Sequence, residues 1–401
     1  MNRSPSLPPV LWTQVLGLTA VQIAISLMWI IYGAYLPQLL GEFQIPSEIG
    51  LVLLIVENGL AIAFQPIMGA LSDRSLHWVG TRFPLISVGV VLASALFLAI
   101  PLLAFVKPVS TLMQWLVIFV LVAWSLAMVA FQSPIFSLLI KYAAVPALPL
   151  ASSLLTTAAA LAGVLRPSVN QFILSFGPLT TFLVGSIVLL GAATALRAVD
   201  LSKQPPSPEP LGGDRLSWAM MMLIGGVGIT VGWGNRLMID SFGRVFRSQL
   251  PEANIEQLMT WVFIGLALMA VPGGLVATRF GNRRTIIAAL IGAIAASQLM
   301  PLMPNGILLG LCVTVVIFAL GIILNGAFPL VLSLLPIQRA GLAIGMYLGG
   351  GAAAVTAFAM LFNNPDQIAI GQGLLMVAIA FTLAIGCLLW SYRLQPASPS
   401  A

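Results

Sequence analysis

The sequence predicts an all-α polytopic membrane protein of about twelve transmembrane helices, arranged as two six-helix repeats. Three observations carry that prediction. Of 401 residues, 60% are hydrophobic and 7% charged, with a mean hydropathy of +1.06. A water-soluble core of this size cannot bury that much apolar surface, so the solvent is largely lipid. Apolar runs of roughly 20 residues or more recur between short polar breaks. One long polar break, "DLSKQPPSPEPLGGDR" from Asp200 to Arg215, divides those runs six and six.

Runs bounded by Pro, Gly and charge place the first six spans near 13–39, 49–72, 83–106, 112–140, 151–174 and 178–198. The remaining six fall near 216–243, 256–279, 284–303, 306–336, 340–362 and 368–392. Residues 1–199 thus form one bundle, 200–215 a linker too rich in Pro, Gly, Ser and charge to build a core, and 216–401 the second bundle. The first run is too long for a signal-peptide core and predicts a retained anchor. Assigning loops alternately leaves Lys107, Arg244 and Arg247 on one side against about twelve basic residues on the other, which puts both termini in the cytoplasm. A cell (inner) membrane is the expected location, with a thylakoid-type membrane as the alternative.

The net charge of +6 is dispersed among loops rather than gathered in a stripe, so topology explains it and nucleic acid is not an expected partner. Cys312 and Cys387 both fall in apolar runs, which gives no disulfide framework, redox pair or zinc site. No Walker loop supplies an ATP engine, and a single histidine, His77, with no metal-ligand cluster leaves hydrolytic or redox chemistry without support. The expectation is no enzyme and no cofactor.

The halves echo each other. "GALSDRSLHWVGTRFPLI" follows span 2 and "GGLVATRFGNRRTII" follows span 8. Span 4 ends in "SPIFSLLIKYAAVP" and span 10 in "FPLVLSLLPIQRA", where Pro134 and Pro329 each precede a Ser-Leu-Leu. Repeats of this kind are a mark of transporters whose halves rock about a central site.

Gly69, Asp73 and Arg74, followed by Gly80 and Arg82, resemble the loop motif between helices 2 and 3 of the major facilitator superfamily. The second copy keeps a glycine, Arg279, Gly281 and the Arg283-Arg284 pair but has Thr278 where that family places Asp. The extra residues between Arg74 and Gly80, and the closing Arg-Phe-Pro, are similar to the glycoside/cation symporter and sucrose-transporter-like branch. The resemblance implies the major facilitator fold, with span 2 packed beside span 11. It also implies a cavity lined by polar residues of spans 1, 4 and 10, namely Gln22, Tyr32, Gln132 and Asn325, some of which serve instead as interhelical hydrogen-bond partners.

The motif has its own physics. Gly69 lies one turn from Asp73 on the same helical face, so a neighbouring helix can approach closely. A carboxylate beside the start of span 11 gains helix-dipole and arginine contacts while that side is closed. The set Gly69, Asp73, Arg74, Gly80, Arg82, Arg279, Gly281, Arg283 and Arg284 is therefore expected to act as a conformational latch, the alternative being topology charges on a solvated loop. His77 is either a pH-sensitive part of it or simply exposed.

Charge near the bilayer centre is costly, by at least about 2.5–3.5 kcal/mol, so an ionisable residue in a span is a functional candidate. Glu57, beside Asn58, lies in span 2 and is the candidate for coupling to a proton or sodium; the alternative is a structural ion pair with Arg166. Arg166 adjoins Pro167 in span 5, with Asn170 a turn further on, and either binds an anionic or hydroxyl-rich solute or pairs with Glu57. Span 7 carries Trp233, Asn235, Arg236 and Asp240 after closely spaced glycines. Arg236 and Asp240 have ion-pair spacing, and Trp233 either stacks on a sugar or belongs to the interfacial belt. The glycine runs of spans 8 and 11 read as packing seams.

The expected function is secondary active transport of a small polar organic solute, such as a sugar or glycoside, by a monomer in the lipid bilayer with cation coupling. The alternatives are export of amphipathic compounds, for which sixteen methionines would suit an apolar cavity, and a pigment-delivery or membrane-assembly role without transport.

Overall fold

The computed structural model describes residues 10–106, 109–200, 217–303, 305–362 and 368–394, except the side chains of 165–173. The predicted linker, from 201 onward, lies outside the described residues. Among the described residues twelve helices are long and apolar enough to cross a membrane: α1 (Trp12–Glu42), α2 (Ile49–Val79), α3 (Phe83–Leu103), α4 (Thr111–Phe136), α5 (Leu148–Ser175), α6 (Pro178–Val199), α7 (Trp218–Gln249), α8 (Ile255–Phe280), α9 (Asn282–Leu299), α10 (Gly306–Leu332), α11 (Ala340–Leu361) and α12 (Ile370–Leu394). Among the described residues the only β feature is an isolated bridge, Val10 to Ala143.

Local chemistry sets the helix ends. Ser110, Asn254 and Asn305 cap α4, α8 and α10 by accepting backbone N–H bonds three residues on. Gly80, Gly177 and Gly281 all have φ between +75° and +89° and mark the turns between α2 and α3, α5 and α6, and α8 and α9. Four predicted boundaries need correction. Span 7 runs past 243 to Gln249. Span 2 does not stop at 72: backbone hydrogen bonding carries α2 to Val79 through the polar Ser-Asp-Arg-Ser stretch, because a helix needs no lipid around it to continue. Spans 4 and 10 stop earlier than predicted, at Phe136 and Leu332, just after Pro134 and Pro329. A single turn, Leu139–Tyr142, then follows α4.

The repeat is visible in three dimensions. A short 3-10 turn precedes both α5 (Val145–Ala147) and α11 (Ile337–Arg339). The first six helices meet the last six mainly along two crossings, α2 with α11 and α5 with α8. Glycines let the helices approach at both, most of all at α2–α11. On α11, Gly341, Gly345 and Gly349 recur every four residues and face the carbonyls of Gly69, Gln65 and Ile62 on α2. Pro66 has no N–H to offer the Ile62 carbonyl, and that oxygen instead lies 2.8 Å from where a Cβ at Gly349 would stand. The other side of α11 packs on α7, with Gly228 against the Tyr347 carbonyl and Gly350 against that of Gly225.

Candidate functional site: a central cavity, a side chamber and a buried charged contact

A cavity of about 500 Å³ lies between the two sets of helices. From α1 it takes Gln22, Ser26 and Trp29, spaced four and three apart and so on one face; Gln22 Nε2 donates to Ser26 Oγ at 3.0 Å. Gln132 and Phe136 come from α4, and Ser152 and Thr156 from α5. Phe263 on α8, Leu324 and Phe328 on α10, and Tyr347 and Leu348 on α11 form the opposite wall. Towards the end that carries the Asp73 motif, Phe136 stacks on Phe328 with centroids 5.3 Å apart, and Phe328 meets Tyr347 edge-on at 5.5 Å. These rings form the floor.

Beside it is a chamber of about 210 Å³ between α1, α2, α4 and α11, lined by Glu57, Asn58, Gln65 and Ser125. Trp29, Gln132 and Leu348 line both spaces and form the partition between them. Glu57 is 3% exposed and its Oε1 accepts a 2.6 Å bond from the Tyr32 hydroxyl. No cation among the described residues lies within salt-bridge distance of it. Asn58 lines the chamber while its Nδ2 donates to the Leu54 carbonyl in its own helix. Gln65 Nε2 donates to Gln132 Oε1 at 3.1 Å, and Gln65 Oε1 is buried with no partner.

Tyr32 is held by an aromatic row that the sequence did not disclose. Its ring lies 4.6 Å from Trp124, Trp124 stacks on Phe97 at 5.0 Å, and Phe97 stacks on Phe182 at 4.3 Å. The row joins α1, α4, α3 and α6. Such pairs add about 0.5–1.5 kcal/mol each beyond area burial. The fixed ring aims the hydroxyl at Glu57.

Of the residues expected to form a latch, Gly69, Asp73, Gly80 and Arg82 gather about the N-terminus of α11. Asp73 Oδ1 accepts from the Gly341 N–H at 2.9 Å, and Oδ2 accepts from the Leu342 N–H at 2.8 Å. These are the second and third residues of α11, whose N–H groups have no intrahelical partner. Arg82 Nη2 donates to Asp73 Oδ1 at 2.7 Å, and both side chains are at most 5% exposed. The turn at Gly80 brings Arg82 back over the helix end, and Ser75 Oγ bonds the Thr81 carbonyl to fix it. A Cβ at Gly69 would overlap the Gly341 backbone, so the approach requires glycine. Arg74 is exposed and takes no part in this contact.

In the second copy, Thr278 Oγ1 donates to the Gly274 carbonyl within α8 and does not reach α5. Gly274 nonetheless packs on the start of α5, beside Pro149, Leu150 and Ser153. Arg279 and Arg284 are exposed, Gly281 forms the turn, and the Arg283 guanidinium lies over the Tyr392 ring at 4.4 Å.

Several candidates are not brought to the cavity. Arg236 and Asp240 form the expected i,i+4 ion pair at 3.3 Å, but on a half-exposed stretch of α7 where Arg236 also lies over Phe358. Trp233 packs edge-on against Phe358 and Phe362 and lines a separate groove between α7 and α12. Asn235 lines neither the central cavity nor the side chamber. Asn325 is fully buried and donates to the Ala270 carbonyl of α8, so it ties helices together rather than lining the cavity. The side chains of Arg166 and Asn170, and with them any pairing of Arg166 with Glu57, lie outside the described residues.

No family model matches the chain, and no curated relative does either. Solved structures do match over nearly the whole length. A proton:xylose symporter of the major facilitator superfamily, bound to 6-bromo-6-deoxy-D-glucose, has 16% identity and a TM-score of 0.68, with 96% of each chain covered. A bacterial homologue of the iron transporter ferroportin in an outward-facing state has 14% identity and a TM-score of 0.71, covering 95% of this chain and 99% of that one. The E. coli fucose:proton symporter has 14% identity and a TM-score of 0.65, covering 94% and 98%. With twelve apolar helices, a repeat visible in its turns and these full-length matches, the chain has the major facilitator fold.

Proposed function

We propose that the protein is a secondary transporter that moves a small organic solute through the central cavity by alternating access, with a cation taken up or released at Glu57. The observation that carries the reading is the pairing of a cavity between the two sets of helices with a breakable polar contact, Asp73 on the α11 N-terminus, that closes one end. The positive-inside bias assigns that end to the cytoplasm. The two sets of helices are the moving bodies, joined by the linker at 200–215, and the chain acts as a monomer in a cell membrane.

Glu57 suits coupling because its chamber touches the solute cavity through Gln132 and Trp29 without being part of it. Two of the similar proteins are described as proton symporters, which favours a proton over sodium and keeps sugars among the solutes to test.

The test is uptake into proteoliposomes with an internal pH dye, over a panel of sugars and glycosides, for wild type beside Glu57→Gln. The expected result is solute uptake with matched acidification, with the acidification abolished in the variant. Acidification matched to uptake in the variant as in wild type removes Glu57 from coupling, and uptake that follows a sodium gradient instead replaces the proton.

A further inference from the structure

We infer that the joint between α9 and α12, at the end of the bundle that carries the Asp73 motif, binds the headgroup of an anionic phospholipid, with its phosphate held by Arg284 and Arg393. The inference does not depend on transport. It begins with two stripes of exposed residues. On α9, Arg284, Ala288, Ile291, Ala295 and Leu299 recur at intervals of three and four, which is one helical face. On α12, Leu383, Gly386, Trp390 and Arg393 do the same. Each stripe is otherwise apolar or glycine and ends, towards the Asp73 motif, in its arginine. An outward face of this composition on a spanning helix meets lipid.

The two helices run antiparallel and touch at both ends. At one, Gln298 Nε2 donates to the Leu374 carbonyl at 2.8 Å; at the other, the Arg283 guanidinium lies over the Tyr392 ring. At the helical rise per residue, roughly 22 Å of α9 and 27 Å of α12 separate these contacts. That length nearly fills the hydrocarbon core of a bilayer, about 30 Å, so the Arg283–Tyr392 joint stands where hydrocarbon gives way to headgroups. The exposed rings of Phe280, Trp390 and Tyr392 mark the same level. Each partner in the joint is followed in the chain by an exposed arginine, Arg284 and Arg393, with a stem long enough to reach out to phosphate.

Charge at this end differs between the halves. In the first six helices Arg82 and Lys141 are met by Asp73 and Asp200, at 2.7 and 2.6 Å. In the last six, the acidic residues among those described, Asp240, Glu252 and Glu256, lie towards the α7–α8 turn at the opposite end, while Arg279, Arg283, Arg284 and Arg393 lie at this one. Glu209 and Asp214 of the linker lie outside the described residues. Topology asks for basic residues here, but not that two of them complete lipid-facing stripes beside one joint. An arginine at that depth gains a charge-assisted bond to a phosphate, whereas a headgroup with its own ammonium brings a like charge against the pair. The headgroup that fits is therefore one of net negative charge.

The test is lipid competition on the full-length protein in nanodiscs of equal phosphatidylglycerol and phosphatidylcholine, released under native conditions into a mass spectrometer and scored for the lipid retained. Wild type is expected to keep one phosphatidylglycerol in preference to phosphatidylcholine by at least about tenfold. Arg284→Gln with Arg393→Gln should lower that preference about tenfold. Arg74→Gln with Arg197→Gln removes the same charge from exposed positions of the first six helices and should change it by less than about twofold. If the first double variant does not reach the membrane, Arg393→Gln alone is expected to lower the preference about threefold. Equal retention of the two lipids by wild type overturns the inference, and so does an equal loss of preference in the two double variants, which marks a diffuse field rather than a site. A preference that appears only in Glu209→Gln with Asp214→Asn assigns the arginines to the linker and overturns it too.

Discussion

At the α2–α11 crossing a carboxylate, an arginine and two helix N–H groups meet in a buried cluster, while at the equivalent α5–α8 crossing a threonine turns back into its own helix. Both crossings keep the glycine one turn before that position, Gly69 and Gly274, and both bring it against the start of the partner helix. The losses in the second are correlated. Asp is replaced by Thr278, and the second residue of α5 is Pro149, which has no N–H to donate where Gly341 donates in α11. Glycine packing gives close contact at both crossings, and only α2–α11 adds a charged contact to it. On the proposed function, switching is therefore expected at α2–α11 and not at α5–α8.

The largest expected effect follows from removing the charge. Asp73→Asn leaves Arg82 buried beside a neutral amide, and stripping one partner from a buried pair costs about 3–5 kcal/mol. Pulsed electron resonance distances between spin labels at the exposed positions Trp78 and Ile337 should shift towards separation by about two orders of magnitude in population. Affinity for solute should change much less; a variant that loses affinity with unchanged distances would sink the latch assignment.

Next in size are the two glycines. In Gly69→Ala the new Cβ would stand 2.6 Å from the Gly341 carbonyl carbon, backbone against backbone, so the helices must part at a cost of about 1–3 kcal/mol. Gly274→Ala is milder, since its nearest neighbour is the Pro149 oxygen at 2.8 Å. The ratio of transport rates in the two variants measures how unequal the crossings are, and equal impairment would break the comparison. The smallest effect belongs to Thr278→Asp. With Pro149 offering no N–H, the added carboxylate has only the Leu150 counterpart of the two donors that Asp73 has, and with a helix-end gain of about 0.3–1 kcal/mol the distance distribution across α5–α8 should shift by less than about fivefold.

The contact of Gly69, Asp73 and Arg82 was legible in the sequence because its parts are local. Gly69, Asp73 and Arg82 sit within fourteen residues, and the spacing of one helical turn states which face they share. The twelve spans were legible for the same reason, since hydrocarbon thickness fixes the length of an apolar run. The extension of α2 to Val79 was not, because polarity marks where lipid ends and not where backbone hydrogen bonding ends. Nor was the placing of Asn325. Intramembrane polarity flags a residue as costly without saying whether a cavity or a neighbouring carbonyl meets that cost, whereas the spacing of Arg236 and Asp240 did announce their ion pair. The bond from Tyr32 to Glu57 joins residues in different helices, and no spacing along either one announces it.

On α2, Glu57, Ala61, Gln65, Gly69 and Asp73 succeed one another at intervals of four, all buried. Glu57 at one end faces the side chamber, and Asp73 at the other holds the α11 N-terminus. The two are roughly 24 Å apart at the helical rise per residue. Treated as a lever arm of that length, α2 needs to swing by only about 5° for its far end to travel roughly 2 Å. That travel is enough to pull a carboxylate out of hydrogen-bonding range of an N–H group. A shift at the chamber too small to alter the cavity's shape would thus be magnified into an all-or-none event at the opposite end of the same rod.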